Sequence, residues 1–261
     1  MGCFILLAAL SLVSEVRDPA ELVRESLEAG KSNNVKAANW LSREDIRRFD
    51  PERKGKLVSW ETYEASIVEG QNYYLLTARN GKPLKKAERE DEQDKLDREA
   101  ERRRKMARVK ATTATKPVSL GSRYSLSLDH VLEHHDIQLA GENVTPEGRE
   151  YWIVDTRLQP SAPLPNERND MALAGNVTLW IDKETHLLLR RELRVARVWG
   201  DWGPGSIVLF EMFWNGDVML VKRITTRNGF AGRRRDTEQI HSNFKKFGAE
   251  TEIKFDTVEI P

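Results

Sequence analysis

The sequence predicts a mainly β, α+β protein: one strongly curved antiparallel sheet forming an incomplete barrel, with an N-terminal helix and a charged inserted helix. Two observations carry that expectation. Apolar alternating runs follow one another through turn signals, mostly without helices between them, which is the pattern of an antiparallel meander. Several runs are also apolar on both faces, as in "SIVLFEMFW", where Ile207, Leu209 and Phe213 oppose Val208, Phe210, Met212 and Trp214. A sheet with one solvated side alternates cleanly, so doubly apolar strands are expected to be covered on both sides.

Taken in order, the chain opens with an apolar run from Cys3 to Val13. It is shorter than the ~20 residues a membrane span needs but has the length of a signal-peptide core. Residues 1–14 therefore read as a signal peptide and 15–261 as a single domain. No Lys or Arg precedes the run, which leaves room for an upstream start. Cys3 is the only cysteine, so the processed chain has neither a disulfide nor a cysteine nucleophile. "DPAELVRESLEAG" reads as a helix capped by Asp18, with Pro19 at its first position, Leu22, Val23 and Leu27 as its apolar stripe, and Gly30 as its end. Extended runs follow from Asn39, with a turn in "PERKGK".

Residues 84–110 form a charged helical insertion with almost no apolar face; Leu84, Leu96 and Met106 are its few anchors. Asp91 with Lys95, Asp94 with Arg98, Glu99 with Arg103 and Glu101 with Lys105 are spaced as i, i+4 pairs, and Arg102 to Lys105 reads as a solvated face. Strands are then expected over 136–144 and 149–158, around "TPEG". They are also expected in "GNVTLWID", from Leu187 to Trp199, in "SIVLFEMFW", in "VMLVKRITTRNGF" after the Asn215-Gly216 turn, and through "DTEQIHSNFKKF" to "TEIKFDTVEI". At ~3.4 Å per residue the run from Leu187 would extend over roughly 40 Å, long enough to require curling.

Composition narrows the function classes. The chain has 261 residues, 42 Lys plus Arg against 41 Asp plus Glu, and seven tryptophans. Near-zero net charge supplies no general field for nucleic acid. Arg233 to Arg235 read as an exposed turn near an anionic surface. No phosphate-cradling loop and no G-x-S-x-G elbow is present, and no cofactor is implied.

"DHVLEHHD" contains His130, Glu133 and His134 in the H-x-x-E-H order of an inverted zinc-protease motif, in which two imidazoles hold the metal and the glutamate activates water. The segment spans only about two turns and no downstream helix offers a third ligand, so the match reads as accidental. His135 and Asp136 read equally well as polar residues at a strand entrance.

The helix at "DP-x-E-L", the meander, and the strand–turn–strand "GNVTLWIDKETHLLLRREL" resemble the LolA-like superfamily of exported lipoprotein-sorting carriers, in a bacterial branch with a charged helix inserted between early strands. Trp180, Ile181, Asp182, Thr185 and Arg190 match its W-I-D…T…R pattern, whereas His186, Leu187 and Leu188 stand where Gly-Leu-Pro is common. The resemblance implies an incomplete barrel, closed by helices, that shields acyl chains in the periplasm, and it implies no enzyme. His186 is then a turn residue rather than a ligand, since Asp182 starts the turn.

The expected hollow is lined by Trp152, Val154, Trp180, Phe210, Met212 and Trp214, with Leu22, Val23 and Leu27 as a lid. The expected partners are a lipid or an acylated protein and an inner- or outer-membrane protein, bound by a monomer. The competing readings are a zinc metalloprotease and an interaction module with a plain packed core. Metal analysis of purified protein is expected to show no stoichiometric zinc, with or without His130→Ala; one tightly held zinc lost on that substitution would reverse the ranking.

Overall fold

A computed structural model describes residues 17–69, 71–110, 126–165, 171–199, 202–227 and 236–247, with backbone alone for 71 and 107–110. The expected signal segment, the Arg233–Arg235 turn and the "TEIKFDTVEI" run lie outside these residues. Helix α1 spans Pro19–Ala37, α2 Lys86–Lys110 and α3 Leu128–His134. The strands are β1 Trp40–Asp50, β2 Lys56–Val68, β3 Gln71–Arg79, β4 Lys82–Pro83, β5 His135–Val144, β6 Glu150–Leu158, β7 Gly175–Asp182, β8 Leu188–Val195, β9 Ile207–Asn215, β10 Val218–Arg227 and β11 Asp236–Lys246. Together they form one antiparallel sheet in the order β4-β3-β2-β1-β11-β10-β9-β8-β7-β6-β5.

The sheet curls without closing, and its ends, β4 and β5, do not pair. Register shifts at Leu41/Arg43, Arg48/Phe49, Thr62/Tyr63, Leu139/Gly141, Trp180/Ile181 and Val221/Arg223 add local twist where the strands bend. Beyond the short β10–β11 ladder, Arg223–Thr226 against Ile240–Thr237, the Met219 backbone is taken by a side chain from α1. Asn33 Nδ2 donates to Met219 O (2.8 Å) and Met219 N donates to Asn33 Oδ1 (2.8 Å). Lys36 also reaches Asp217 (3.1 Å). These anchors explain why α1 continues seven residues past Gly30, its expected end: tertiary partners offset the local cost of glycine in a helix.

Asp18 caps α1 by accepting from Ala20 N, and Leu22 and Val23 are fully buried. They join a core with Leu128 and Val131 of α3, Trp152 and Val154 of β6, Val177, Leu179 and Ile181 of β7, Leu193 of β8, and Val208 and Phe210 of β9. Gly175 is required where β7 begins, because a Cβ there would stand 2.0 Å from the Arg194 carbonyl oxygen. Arg197 pins the proline-rich loop, donating from Nη1 to Ala162 O and Pro163 O and from Nη2 to Gln159 O and Pro160 O.

Several expectations change. The long strand from Leu187 is the shorter β8, ending at Val195. Of the insertion's anchors, Leu84, just before α2, and Leu96 within it are buried, but Met106 is 47% exposed. The basic cluster is only partly solvated: Arg103 donates to Val68 O and Asn72 O while paired with Glu99, and Arg104 pairs with Glu69, so both fasten the helix to the β2–β3 connection. Lys95 pairs with Glu92 in place of the expected Asp91.

A polar network crosses β1 and β11 on the helix-covered face. Ser42 Oγ lies 3.1 Å from His241 Nδ1, and Gln239 Nε2 donates to Glu44 Oε1 (2.5 Å), which is itself 3.7 Å from His241 Nε2. Burial pushes His241 down to about 4. The folded protein thus resists protonating this ring, whereas the unfolded chain takes up a proton near pH 6.5. Stability is therefore expected to fall as pH drops from about 6.5 towards 4, by about 1 kcal/mol per pH unit from this group. Urea titrations at pH 7.5, 6 and 5 check this, with His241→Gln expected to flatten the dependence.

Candidate ligand-binding groove

Directly opposed residues on paired strands share a face. Leu139, Val154, Leu179, Arg191, Phe210 and Ile224 form one such row, turned toward α1 and α3. Ile153, Trp180, Arg190, Glu211 and Arg223 form the adjacent row on the outer face. The six residues expected to line one hollow are thereby divided. Trp152, Val154 and Phe210 are sealed in the core beneath α1, at 7%, 0% and 2% exposure. Trp180, Met212 and Trp214 instead line an open groove of about 900 Å³ at the turn end of β5–β10. Register, a property of pairs of strands, turns Trp180 to the outer face, whereas Met212 and Trp214 share a strand with Phe210 and reach the groove at the turn end of β9. Among the described residues, no helix residue lines this groove, so the expected covering is not seen there.

Three hairpin turns build the groove. The β5–β6 turn supplies Thr145, Pro146, Glu147 and Arg149; the β7–β8 turn supplies Glu184 and Thr185; the β9–β10 hairpin supplies Met212 to Trp214 and Gly216. Tyr151 and Leu189 complete its apolar lining, Leu189 being the extra residue that β8 carries opposite Trp180 and Ile181.

Asp182 fixes the wall. Its carboxylate is 1% exposed and accepts from Arg149 Nε (2.7 Å) and Nη2 (3.0 Å) and from Thr185 N (2.9 Å) and Oγ1 (2.8 Å). Burial alone would raise its pKa, but the bonds from Arg149 and Thr185 outweigh it and hold the group below the ordinary carboxylate range. Arg149, oriented in this way, lies over the Trp214 ring at 5.1 Å, and Arg190 lies over Trp180 at 4.5 Å. On the same outer face Glu192 pairs with Arg190 and Arg194, and Arg223 and Arg47 share Glu238. The aromatic groove is thus set beside a face that is otherwise charged.

His186 belongs to the turn, as expected, with φ at 58°. This is the left-handed region that glycine adopts freely, at the position where the resembling family commonly has glycine. The ring stacks on Trp152 (5.7 Å, 4°), and Nε2 lies 3.3 Å from Glu25 of α1. Arg17, paired with Glu25, also lies over Trp152, so the turn and the start of α1 are held together across this ring.

The H-x-x-E-H residues sit on α3, where the His130 and His134 rings are 6.0 Å apart and exposed Glu133 lies 3.6 Å from His134. Among the described residues, no group of three or more His, Cys, Asp or Glu side chains could hold a metal. His135 is structural: it is buried, with Nε2 donating to Ala172 O (2.9 Å) and Nδ1 accepting from Thr156 Oγ1 (2.8 Å). Two features escaped the sequence reading. The Ser42–His241–Glu44 line resembles a nucleophile–base–acid arrangement, but at about 4 His241 is too weak a base for a serine at neutral pH. Arg191 projects from the helix-facing row over Phe210 (4.0 Å), its Nε has no partner among the described residues, and burial lowers its pKa to about 10. Neither carries a sequence signal, since both depend on which strands pair.

Among solved structures, the chain is similar to members of the LolA superfamily. One such protein, from Nitrosomonas europaea, matches at 10% identity and a TM-score of 0.39, over 84% of this chain and 92% of that one. A domain described as an outer membrane lipoprotein-sorting protein, from Vibrio parahaemolyticus, matches at 10% identity and a TM-score of 0.40, over 88% and 95% of the two chains. A DUF1329 family protein from Desulfovibrio piger matches at 12% identity and a TM-score of 0.41, over 90% and 96%. No protein-family model and no curated protein matches the chain.

The division between core and groove has a direct test. Trp152→Ala is expected to destabilise the fold by about 3–5 kcal/mol, as for a buried aromatic, whereas Trp180→Ala costs about 1 kcal/mol. Equal losses in denaturant titrations would mean that Trp180 belongs to the closed core.

Proposed function

We propose that the protein is a non-enzymatic, exported carrier that holds the acyl part of a lipid or an acylated protein in the groove between its hairpin turns. The supporting observation is the groove itself: about 900 Å³, within the ordinary range for small-ligand sites, with Tyr151, Trp180, Leu189, Met212, Phe213 and Trp214 presenting apolar surface. Each buried CH₂ contributes about 0.8 kcal/mol, so a chain of about a dozen carbons retains several kcal/mol after ordering costs.

Removal of residues 1–14 would deliver the carrier, as a monomer, to the periplasm, where an inner- or outer-membrane protein exchanges its cargo. Among the described residues no helix is long and apolar enough to cross a membrane. Leu22, Val23 and Leu27 act as the lid of a second reservoir in this scheme. Release of α1 from Glu25–His186 and Asn33–Met219 would expose Trp152, Val154 and Phe210 to an acyl chain.

Native mass spectrometry after gentle purification is expected to show a co-purified lipid or acylated peptide, and displacement of a fluorescent fatty acid is expected to be saturable, with the groove as the tighter site. Trp180→Asp combined with Met212→Asp is expected to weaken that binding at least tenfold while the far-ultraviolet circular dichroism stays unchanged. No co-purified lipid together with no fatty-acid binding would remove the carrier reading.

A further inference from the structure

Some donors of the groove lack acceptors among the described residues. Trp214 Nε1 and Arg190 Nε are buried and have no hydrogen-bond partner among the described residues. Both are N–H groups that can only donate. Among the described residues, no orphaned buried acceptor lines the same groove. Lys222, the bulged residue of β10, adds an exposed ammonium with no ion-pair partner among the described residues.

The acids of the groove do not fill this role. Glu184 is turned to Arg149 (3.3 Å) and Glu211 to Arg223 (3.8 Å), while Glu147 sits exposed on the β5–β6 turn. Arg149 is satisfied by Asp182, so it forms a fixed wall over Trp214. What is left over is donor capacity beside aromatic faces. A buried N–H without an acceptor is costly enough to call for an explanation, and a ligand bearing acceptor oxygens would provide one.

We propose that the groove selects an anionic amphiphile, anchoring its carboxylate or phosphate head on Trp214 Nε1, Arg190 Nε and Lys222 while the chain lies against Trp180, Met212 and Phe213. This rests on the carrier reading and specifies its ligand class. The same head chemistry occurs in a lipid headgroup and in a free inorganic anion, and the two sources are separable.

Binding of laurate, dodecyl phosphate, dodecanol and dodecyltrimethylammonium to the full chain is measured by displacement of one fluorescent probe, with inorganic phosphate as a competitor. Laurate and dodecyl phosphate are expected to bind at least tenfold more tightly than dodecyltrimethylammonium and several-fold more tightly than dodecanol. Trp214→Phe, which keeps an aromatic ring and removes the N–H, is expected to lower the laurate-to-dodecanol affinity ratio at least threefold. Lys222→Met, at an exposed position that poses no folding problem, is expected to lower it similarly and to reduce its salt dependence.

Millimolar inorganic phosphate is expected to leave laurate bound if a lipid is the source; displacement by phosphate, with dodecanol unaffected, would assign the head site to a free anion. Equal affinities for all four dodecyl compounds would overturn the head assignment and leave the carrier reading standing. Failure of every dodecyl compound to bind would overturn the carrier reading beneath it.

Discussion

The register of β6, β7, β8 and β9 is the constraint on which the rest of the molecule depends. With Val154 opposite Leu179, Leu179 opposite Arg191, and Arg191 opposite Phe210, the bulky apolar residues of successive strands face α1 and α3 together. A slip of one residue in β7 would turn Leu179 outward and carry Trp180 into the core. The core would lose fully buried side chains at about 2–5 kcal/mol each, and the groove would lose a main wall. Stability and the proposed binding surface are therefore two faces of one pairing pattern.

The turns hold that pattern in place. Buried Asp182 saturates its oxygens with Arg149 and Thr185, so the β7–β8 turn is tied to the end of the β5–β6 hairpin. Removing Arg149 would strand the Asp182 charge in a water-poor site, which is more costly than the loss of an exposed ion pair. The same Arg149 covers Trp214, so the bond that fixes the turn also shapes the groove. His186 adds a cost of another kind, a left-handed backbone for a residue with a Cβ. Its stacking on Trp152 and its approach to Glu25 give that conformation a physical reason, because they fasten the start of α1 to the sheet. A glycine at this position would relieve the backbone and release the fastening.

Charge is distributed with equal consequence. The outer face carries Arg190, Glu192, Arg194, Glu211, Arg223, Glu238 and Arg47 as neighbouring ions, each pair contributing little at the surface but together keeping the strands solvated. This is how a chain with 32% charged residues builds a sheet of this size. Against that background the aromatic groove, with its unpartnered donors, is the exception that a soluble strand face by itself does not require.

Local signals in the sequence determined the elements. Asp18-Pro19 marked the start of α1, Asn215-Gly216 marked the β9–β10 turn, and alternation marked most strands, because capping, turn geometry and side-chain period act between residues close along the chain. The "WID" strand end and its turn were legible for the same reason. That α1 runs on to Ala37 depends on the assembled fold, since Asn33 and Lys36 find partners some 180 residues away. The tertiary structure likewise decided that Trp152 and Phe210 are core while Trp180, Met212 and Trp214 line a groove, and that Arg149, Arg190 and Lys222 surround that groove. A strand's sequence specifies which of its residues alternate, but which face is covered is set by the partner strands and by the helices that land on them.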